Sequence, residues 1–189
     1  MPARLKEIFD TGITPIEERQ KKIAECNYIP PNLRIAEDYK IFQTSTPINN
    51  TEELARILEF PNGIEDLENG VYSAQAFMEA TRRGISTQRL SMTTPLTIHA
   101  QGKLKSAEFN KLNPHRPREY VGYTLGLVDL FRTALAPDGR RIFGVFSTPE
   151  PELAHADIFV ILKPDKALKL AIQRVFHDVF RVDKIYPPT

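Results

Sequence analysis

Residues 141–162 read RIFGVFSTPEPELAHADIFVIL, from Arg141 to Leu162, and the fold turns on this stretch. Two apolar runs stand at its ends. The first, Arg141 to Ser147, carries Ile142, Phe143, Val145 and Phe146; the second, His155 to Leu162, carries Ile158, Phe159, Val160, Ile161 and Leu162. β-Branched and aromatic side chains suit a pleated, packed surface. Neither run alternates cleanly with polar residues, so each reads as a strand buried on both faces, central in a sheet. The link from Thr148 to Ala154 is short enough to join the two as neighbours.

The chain on either side extends the pattern. Asp165 is placed to cap a final helix reaching about Phe180, in which Leu168, Ile172, Val175, Phe176 and Val179 form a stripe of helical period. That stripe predicts a helix packed on the sheet. Toward the N-terminus, Glu119 to Leu125, Leu96 to Ala100 and Arg89 to Met92 complete a set of five strands. Before them the chain reads as helix-rich. Ser73 caps a helix through about Arg83, with Gly84 ending it. Asn50 caps another, with Leu54, Ile57 and Leu58 as its apolar face, stopped by Pro61-Asn62-Gly63. Leu33 to Gln43 reads as extended. Thr14-Pro15-Ile16-Glu17 is a capping box opening a polar helix to Cys26. The expectation is one α+β domain over 1–189: a mixed, mainly antiparallel sheet of about five strands packed by the C-terminal helix in 70–189, with a peripheral, helical and irregular part in 1–69.

Composition narrows the function classes. The 189 residues are 41% hydrophobic and 26% charged, enough for a core and unlike a disordered chain. A formal net charge of +1 lacks the basic balance of a nucleic-acid binder. The one cysteine, Cys26, forms no internal disulfide, and no apolar run reaches membrane-spanning length. A soluble, cytoplasmic protein with no membrane partner is expected. There is no phosphate-binding glycine loop, no GxSxG, no HExxH and no paired-cysteine motif, so no cofactor and no metal is expected.

Four constellations remain. In His155-Ala156-Asp157 the imidazole and carboxylate share a strand face, and an aspartate beside a histidine can orient it as an acid or base. Arg89 and Ser91 share one face, as do Thr97 and His99. If those strands pair, Arg89, Ser91 and His99 form a ligand-binding surface in which the arginine fork holds an anion. From Gln101 to Arg118, five basic residues (Lys103, Lys105, Lys111, Arg116, Arg118) face only Glu108, and the stretch reads as a solvated loop. Glu150-Pro151-Glu152 resembles the ExE element of arginine-type ADP-ribosyltransferases, with Arg34 and Ser91 in the arginine and serine parts. Proline between the glutamates and the missing Ser-Thr-Ser depart from that pattern.

Three further segments, Ser73-Ala74-Gln75-Ala76-Phe77, Arg89-Leu90-Ser91-Met92 and His155-Ala156-Asp157-Ile158, resemble a group of small bacterial proteins. Those proteins share a Ser/Ala-Phe helix start, an LSV-like strand and a HAxI strand. The likeness spans roughly Gly70 to Phe180. It implies that Ser91 and His155 fall at recurring positions, and it supplies no reaction. The functional expectation is a protein that binds or acts on a small anionic or nucleotide-like ligand, with His155 as acid/base, Asp157 orienting it, and Arg89 and Ser91 nearby. The alternative is a non-catalytic protein-interaction component of a bacterial two-gene or defence module, contacting a protein partner through its helices and basic loop.

Overall fold

The computed structural model describes residues 2–10, 12–27, 32–73, 76–149 and 152–188. Its strands are β1 (Glu53–Phe60), β2 (Ile64–Asp66), β3 (Val71–Tyr72), β4 (Ile85–Arg89), β5 (Glu119–Leu127), β6 (Phe143–Ser147) and β7 (His155–Val160). Its helices are α1 (Pro2–Phe9), α2 (Arg19–Glu25), α3 (Asn32–Glu37), α4 (Pro95–Leu112), α5 (Val128–Thr133) and α6 (Lys166–Val179). Five strands make one sheet in the order β5-β1-β4-β7-β6, and every pairing in it is antiparallel. β2 and β3 form a separate small hairpin. The architecture is α+β.

The deciding stretch folds as two buried, paired strands, but only β7 is central: β6 is the sheet's edge, and the layers packed on its two faces account for its apolar residues. β6 and β7 pair from Phe143 opposite Val160 to Ser147 opposite Ala156. Apart from half-buried His155, every residue of both strands is buried. Layers cover both sides. On one, α5 and α6 bring Phe131 and Phe176 against Phe143, with ring centroids 5.9 and 5.1 Å away. On the other, Phe9 of α1 meets Phe146 and Phe159 at 5.6 and 5.5 Å. The α6 N-terminus is capped as the sequence predicts: Asp165 Oδ1 accepts from Leu168 N–H at 2.7 Å.

Several other segments depart from the sequence reading. Residues 53–60 are not a helix but β1, between β5 and β4. The Leu54, Ile57, Leu58 spacing matches a helical stripe, but here the two faces of a covered strand produce it. Leu54 and Leu58 join the large core, while Ala55 and Ile57 pack with Ile98 and Tyr123 on the α4 side. Residues 96–100 are not a strand either. Thr94 Oγ1 accepts from Thr97 N–H at 3.2 Å, and Pro95 takes the first helical position, so the chain enters α4. The helix lies close on β5 at Gly102, where a Cβ would sit 2.2 Å from the Tyr120 ring. The basic stretch is therefore mostly helix, not loop.

Leu33 to Gln43 begins as α3 rather than extended chain, burying Leu33, Ala36 and Glu37. The predicted strand at Arg89 to Met92 lies one element earlier, as β4, and Leu90–Met92 is a single 3₁₀ turn. Thr14 does not cap a helix: its hydroxyl is buried and donates to the Glu7 carbonyl at 2.8 Å. Ser73 donates to the Asn62 carbonyl instead of capping, and the helix read through Arg83 shrinks to a 3₁₀ turn at Met78–Thr81. Nor is the first third peripheral. It supplies β1 and the buried side chains Leu5, Ile8, Phe9, Ile23, Leu33 and Ile48. Among the described residues, no helix is long and apolar enough to cross a membrane.

Candidate functional site

β1 and β4 pair only at Leu54/Arg89 and Ala55/Gln88. Beyond Ala55 the strands part, and Arg56 fills the opening by donating from Nη1 to the Ser86 carbonyl at 2.9 Å. α4 covers the face over β1 and β5, and α1 and α2 cover it over β6 and β7. The strip above β4 is left open between them. A cavity of about 240 Å³ lies there, and a second of about 530 Å³, walled by β1 and the 76–83 segment, adjoins it across Ile57 and Lys105.

The floor of the smaller cavity follows from strand register. Ser86 lies opposite Asp157 and Gln88 opposite His155, so all four side chains belong to one face. Gly84 starts this segment at φ +85°, and a Cβ there would meet Phe159 at 2.8 Å, so only glycine fits. His155 Nε2 lies 2.6 Å from Ser86 Oγ. His155 Nδ1 lies 2.9 Å from both the carbonyl oxygen and Oγ1 of Thr148. Thr148 Oγ1 donates to Asp157 Oδ2 at 3.0 Å. The direct His155–Asp157 separation, Nε2 to Oδ1, is 3.9 Å, beyond hydrogen-bond reach. Asp157 thus orients the imidazole through Thr148 rather than by contact. Burial pushes the Asp157 carboxyl up from the usual range, opposed by His155, by the Thr148 hydrogen bond and by Arg19.

The larger cavity is strongly charged. Arg56, Arg82, Arg83, Lys105 and Arg118 line it with Glu17, Glu59 and Glu79. Three cations are spoken for. Arg56 pairs with Glu79, Arg83 reaches Glu79 at 3.0 Å, and Arg118 reaches Glu59 at 3.2 Å while lying over the Phe109 ring at 3.6 Å. Arg82 and Lys105 have no carboxylate within ion-pair distance among the described residues. Desolvation and the neighbouring Arg56 lower the Lys105 ammonium. Burial would raise Glu79, but Arg56 and Arg83 overcome it and hold the carboxyl at about 2.

The remaining candidates fall elsewhere. Arg89 leaves the opposite face of β4, and its guanidinium is taken up by buried Glu52 and by Thr46 and Pro47. It meets Glu52 through Nε at 2.9 Å and Nη2 at 2.8 Å, and it donates to Thr46 and to the Pro47 carbonyl. Ser91 Oγ donates to the same Glu52 at 2.7 Å. Burial would raise Glu52, but the Arg89 fork, the Asn49 N–H and the Ser91 hydroxyl hold it below the usual range. So Arg89 and Ser91 do not join His155, and Arg89 has no free fork for an anion. His99 sits on α4, buried against β5, with Nδ1 2.8 Å from Tyr120 Oη. It shares no surface with Arg89, and Thr97 serves the helix start. Arg34 pairs with Asp38 at 2.8 Å on α3, while Glu152 accepts from Gln88. Among the described residues, Arg34, Ser91 and Glu152 share no hydrogen-bond network. Glu150 and Pro151 lie outside the described residues.

Ser86 and Thr148 thus join His155 and Asp157 in one hydrogen-bonded group, and Lys105 stands on the wall shared with the charged cavity that Arg82 lines. No protein-family model matches the chain, and no curated protein or solved structure is significantly similar to it.

Asp157 and Glu79 predict opposite pH behaviour. Asp157 has a raised folded-state pKa, so the native state holds its proton more tightly. Its contribution to stability is present below the ordinary carboxylate range and is lost as pH rises through the raised value. Asp157→Asn is expected to melt higher than the parent at neutral pH, with the gain vanishing in acid. Glu79 is the reverse: its stabilisation is present above about 4.5 and lost as pH falls toward about 2. Glu79→Gln is expected to lose up to about 3 kcal/mol at pH 7 and little near pH 2. Melting curves of the two variants from pH 2 to 8 check the pair. A neutral-pH loss in Asp157→Asn would show that its charge stabilises the fold.

Proposed function

We propose that this protein binds and acts on a small anionic molecule in the cleft above β4, with His155 moving a proton at its floor. The observation that carries this reading is the cleft's division of labour. One end gathers cations, two of them without a carboxylate partner among the described residues, and the other holds an imidazole between the Ser86 hydroxyl and Thr148, whose own hydroxyl donates to buried Asp157. A cation-lined cavity concentrates anions, and an arginine fork suits a phosphate or carboxylate group. The size fits a small metabolite rather than a polymer. We further propose a bacterial cytoplasmic location, on the ground that the single thiol, Cys26, is free and the chain needs no disulfide.

The test is thermal. Inorganic phosphate, sugar phosphates, nucleotides and dicarboxylates are added singly, and the melting temperature is followed. A ligand at a hundred times its Kd stabilises by about 2.7 kcal/mol. At least one class is expected to raise the melting point, and Lys105→Ala with Arg82→Ala is expected to abolish most of that rise. No stabilisation by any member, or an undiminished rise in the double variant, argues against the anion site.

A further inference from the structure

Ser86 stands exposed in the middle of the cleft floor, and its bond to His155 has a defined direction. The Thr148 carbonyl, 2.9 Å from His155 Nδ1, can only accept, so in the neutral ring Nδ1 carries the proton. Nε2 is then the free lone pair, and Ser86 Oγ–H donates to it at 2.6 Å. Thr148 Oγ1 also faces Nδ1 and passes its own proton toward Asp157. The chain of donors runs Ser86, His155, Thr148, Asp157. This is a nucleophile, a base and an orienting group in the order acyl transfer needs. An exposed serine needs no histidine to satisfy it, since water serves. A histidine held at both faces of Nδ1 and aimed at an exposed hydroxyl is costlier than a structural role requires.

We infer that Ser86 is a catalytic nucleophile that takes the acyl group of a small anionic ester, with His155 as its base. The substrate class rests on the anion reading above; the nucleophile does not. In the first step the Ser86 Oγ–carbon bond forms as the Oγ proton passes to His155 Nε2. The carbon–oxygen bond to the alcohol then breaks, and His155 returns that proton to the departing alkoxide. In the second step water gives a proton to Nε2 and adds to the acyl carbon. The Ser86 ester bond breaks, and the proton returns to Oγ. An alcohol and a carboxylic acid leave, and no oxidant or metal is consumed. The cations beyond Ile57 would hold the substrate's anionic group while the ester lies over Ser86.

A neutral alkyl fluorophosphonate tests the nucleophile without the anion site. Attack by Ser86 Oγ displaces fluoride from phosphorus and leaves a stable adduct that intact mass and peptide mapping locate. The full chain is expected to gain one adduct on Ser86. Ser86→Ala is expected to gain none there, and Ser91→Ala is expected to react as the parent does. His155→Gln, checked by its melting curve to be folded, is expected to react at least about a hundredfold more slowly. No adduct on the parent, or equal Ser86 labelling in His155→Gln, overturns the inference. p-Nitrophenyl hydrogen succinate and p-nitrophenyl acetate test the substrate class: the anionic ester is expected to turn over faster, and Lys105→Ala to remove the difference. Equal turnover of the two esters beside normal Ser86 labelling overturns the anionic substrate and leaves the nucleophile standing. Stabilisation by anions without an adduct does the opposite.

Discussion

Replacing Glu37 by alanine is expected to destabilise the protein by about 3–5 kcal/mol, because it strands two buried arginines at once. Glu37 ends α3 and is 1% exposed. Its carboxylate meets Arg132 Nε at 3.3 Å, Arg141 Nη1 at 3.2 Å and the Val145 N–H at 2.8 Å, and it also pairs with Arg141 Nη2. The Arg132 and Arg141 side chains are only 5% and 12% exposed. Such an assembly adds little over a hydrophobic replacement of all its members, but removing one member leaves uncompensated charge out of water. Arg132 would retain the Ile48 carbonyl and Asn50 Oδ1, at 2.8 and 2.7 Å, yet neither neutralises it. The Val145 N–H would also lose its acceptor at a strand wholly inside the core. A protein of this kind is stable by about 5–15 kcal/mol, so the loss is a large fraction of the whole. Urea unfolding at pH 7 is the check: the midpoint is expected to fall steeply with the slope unchanged. Glu37→Gln keeps an oxygen for Val145 but loses the charge, and should fall between alanine and the parent. A shift below about 1 kcal/mol for alanine would mean that water reaches the two guanidiniums.

Glu37 also shows why the sequence was legible only in part. Residues 141–162 and the α6 stripe are strongly patterned because both contribute to one large core, and their pairing is local along the chain. β1 is the opposite case. Its neighbours are β5 and β4, distant in sequence, and its i, i+3, i+4 apolar spacing arises from being covered on both faces. Local periodicity cannot separate that from a helix. At residues 94–97 the helix signal is in the sequence: Thr94 followed by Pro95 is a helix start, and it outweighs the alternation of Leu96 to Ala100. The site divides the same way. His155 and Asp157 stand two apart on a strand that sequence pattern could place, so their shared face was readable. Ser86 and Thr148 join them only through the β4–β7 register and the connection before β7. No spacing rule brings residues 86, 148 and 155 together. Arg89 misled for a related reason: a strand arginine beside a serine looks like an anion site until the distant Glu52 is seen to occupy its fork.

That last point yields the second large effect. Arg89→Ala is expected to cost about 3–5 kcal/mol, because it leaves the Glu52 carboxylate buried and unpaired. Glu52→Ala is expected to cost a similar amount by leaving the guanidinium unpaired, while the Ser91 hydroxyl loses only its acceptor. The two losses should not add. The double variant is expected to recover about 0.5–3 kcal/mol relative to the sum of the single ones, since the second substitution removes a charge that the first had stranded. A double-mutant cycle in urea measures this directly. The cycle separates the two roles an arginine on β4 can have. If Arg89 held the ligand, its loss would abolish stabilisation by anions while Glu52→Ala, with the fork freed, would strengthen it. With Arg89 tied to Glu52, Thr46 and Pro47 on the far face of the sheet, neither change should alter anion stabilisation measured below each variant's own melting range. Ser86 labelling should proceed at the parent rate in both. A network that stabilises the sheet and leaves the cleft's chemistry untouched has its effect in unfolding curves alone, and that is the signature expected of Arg89.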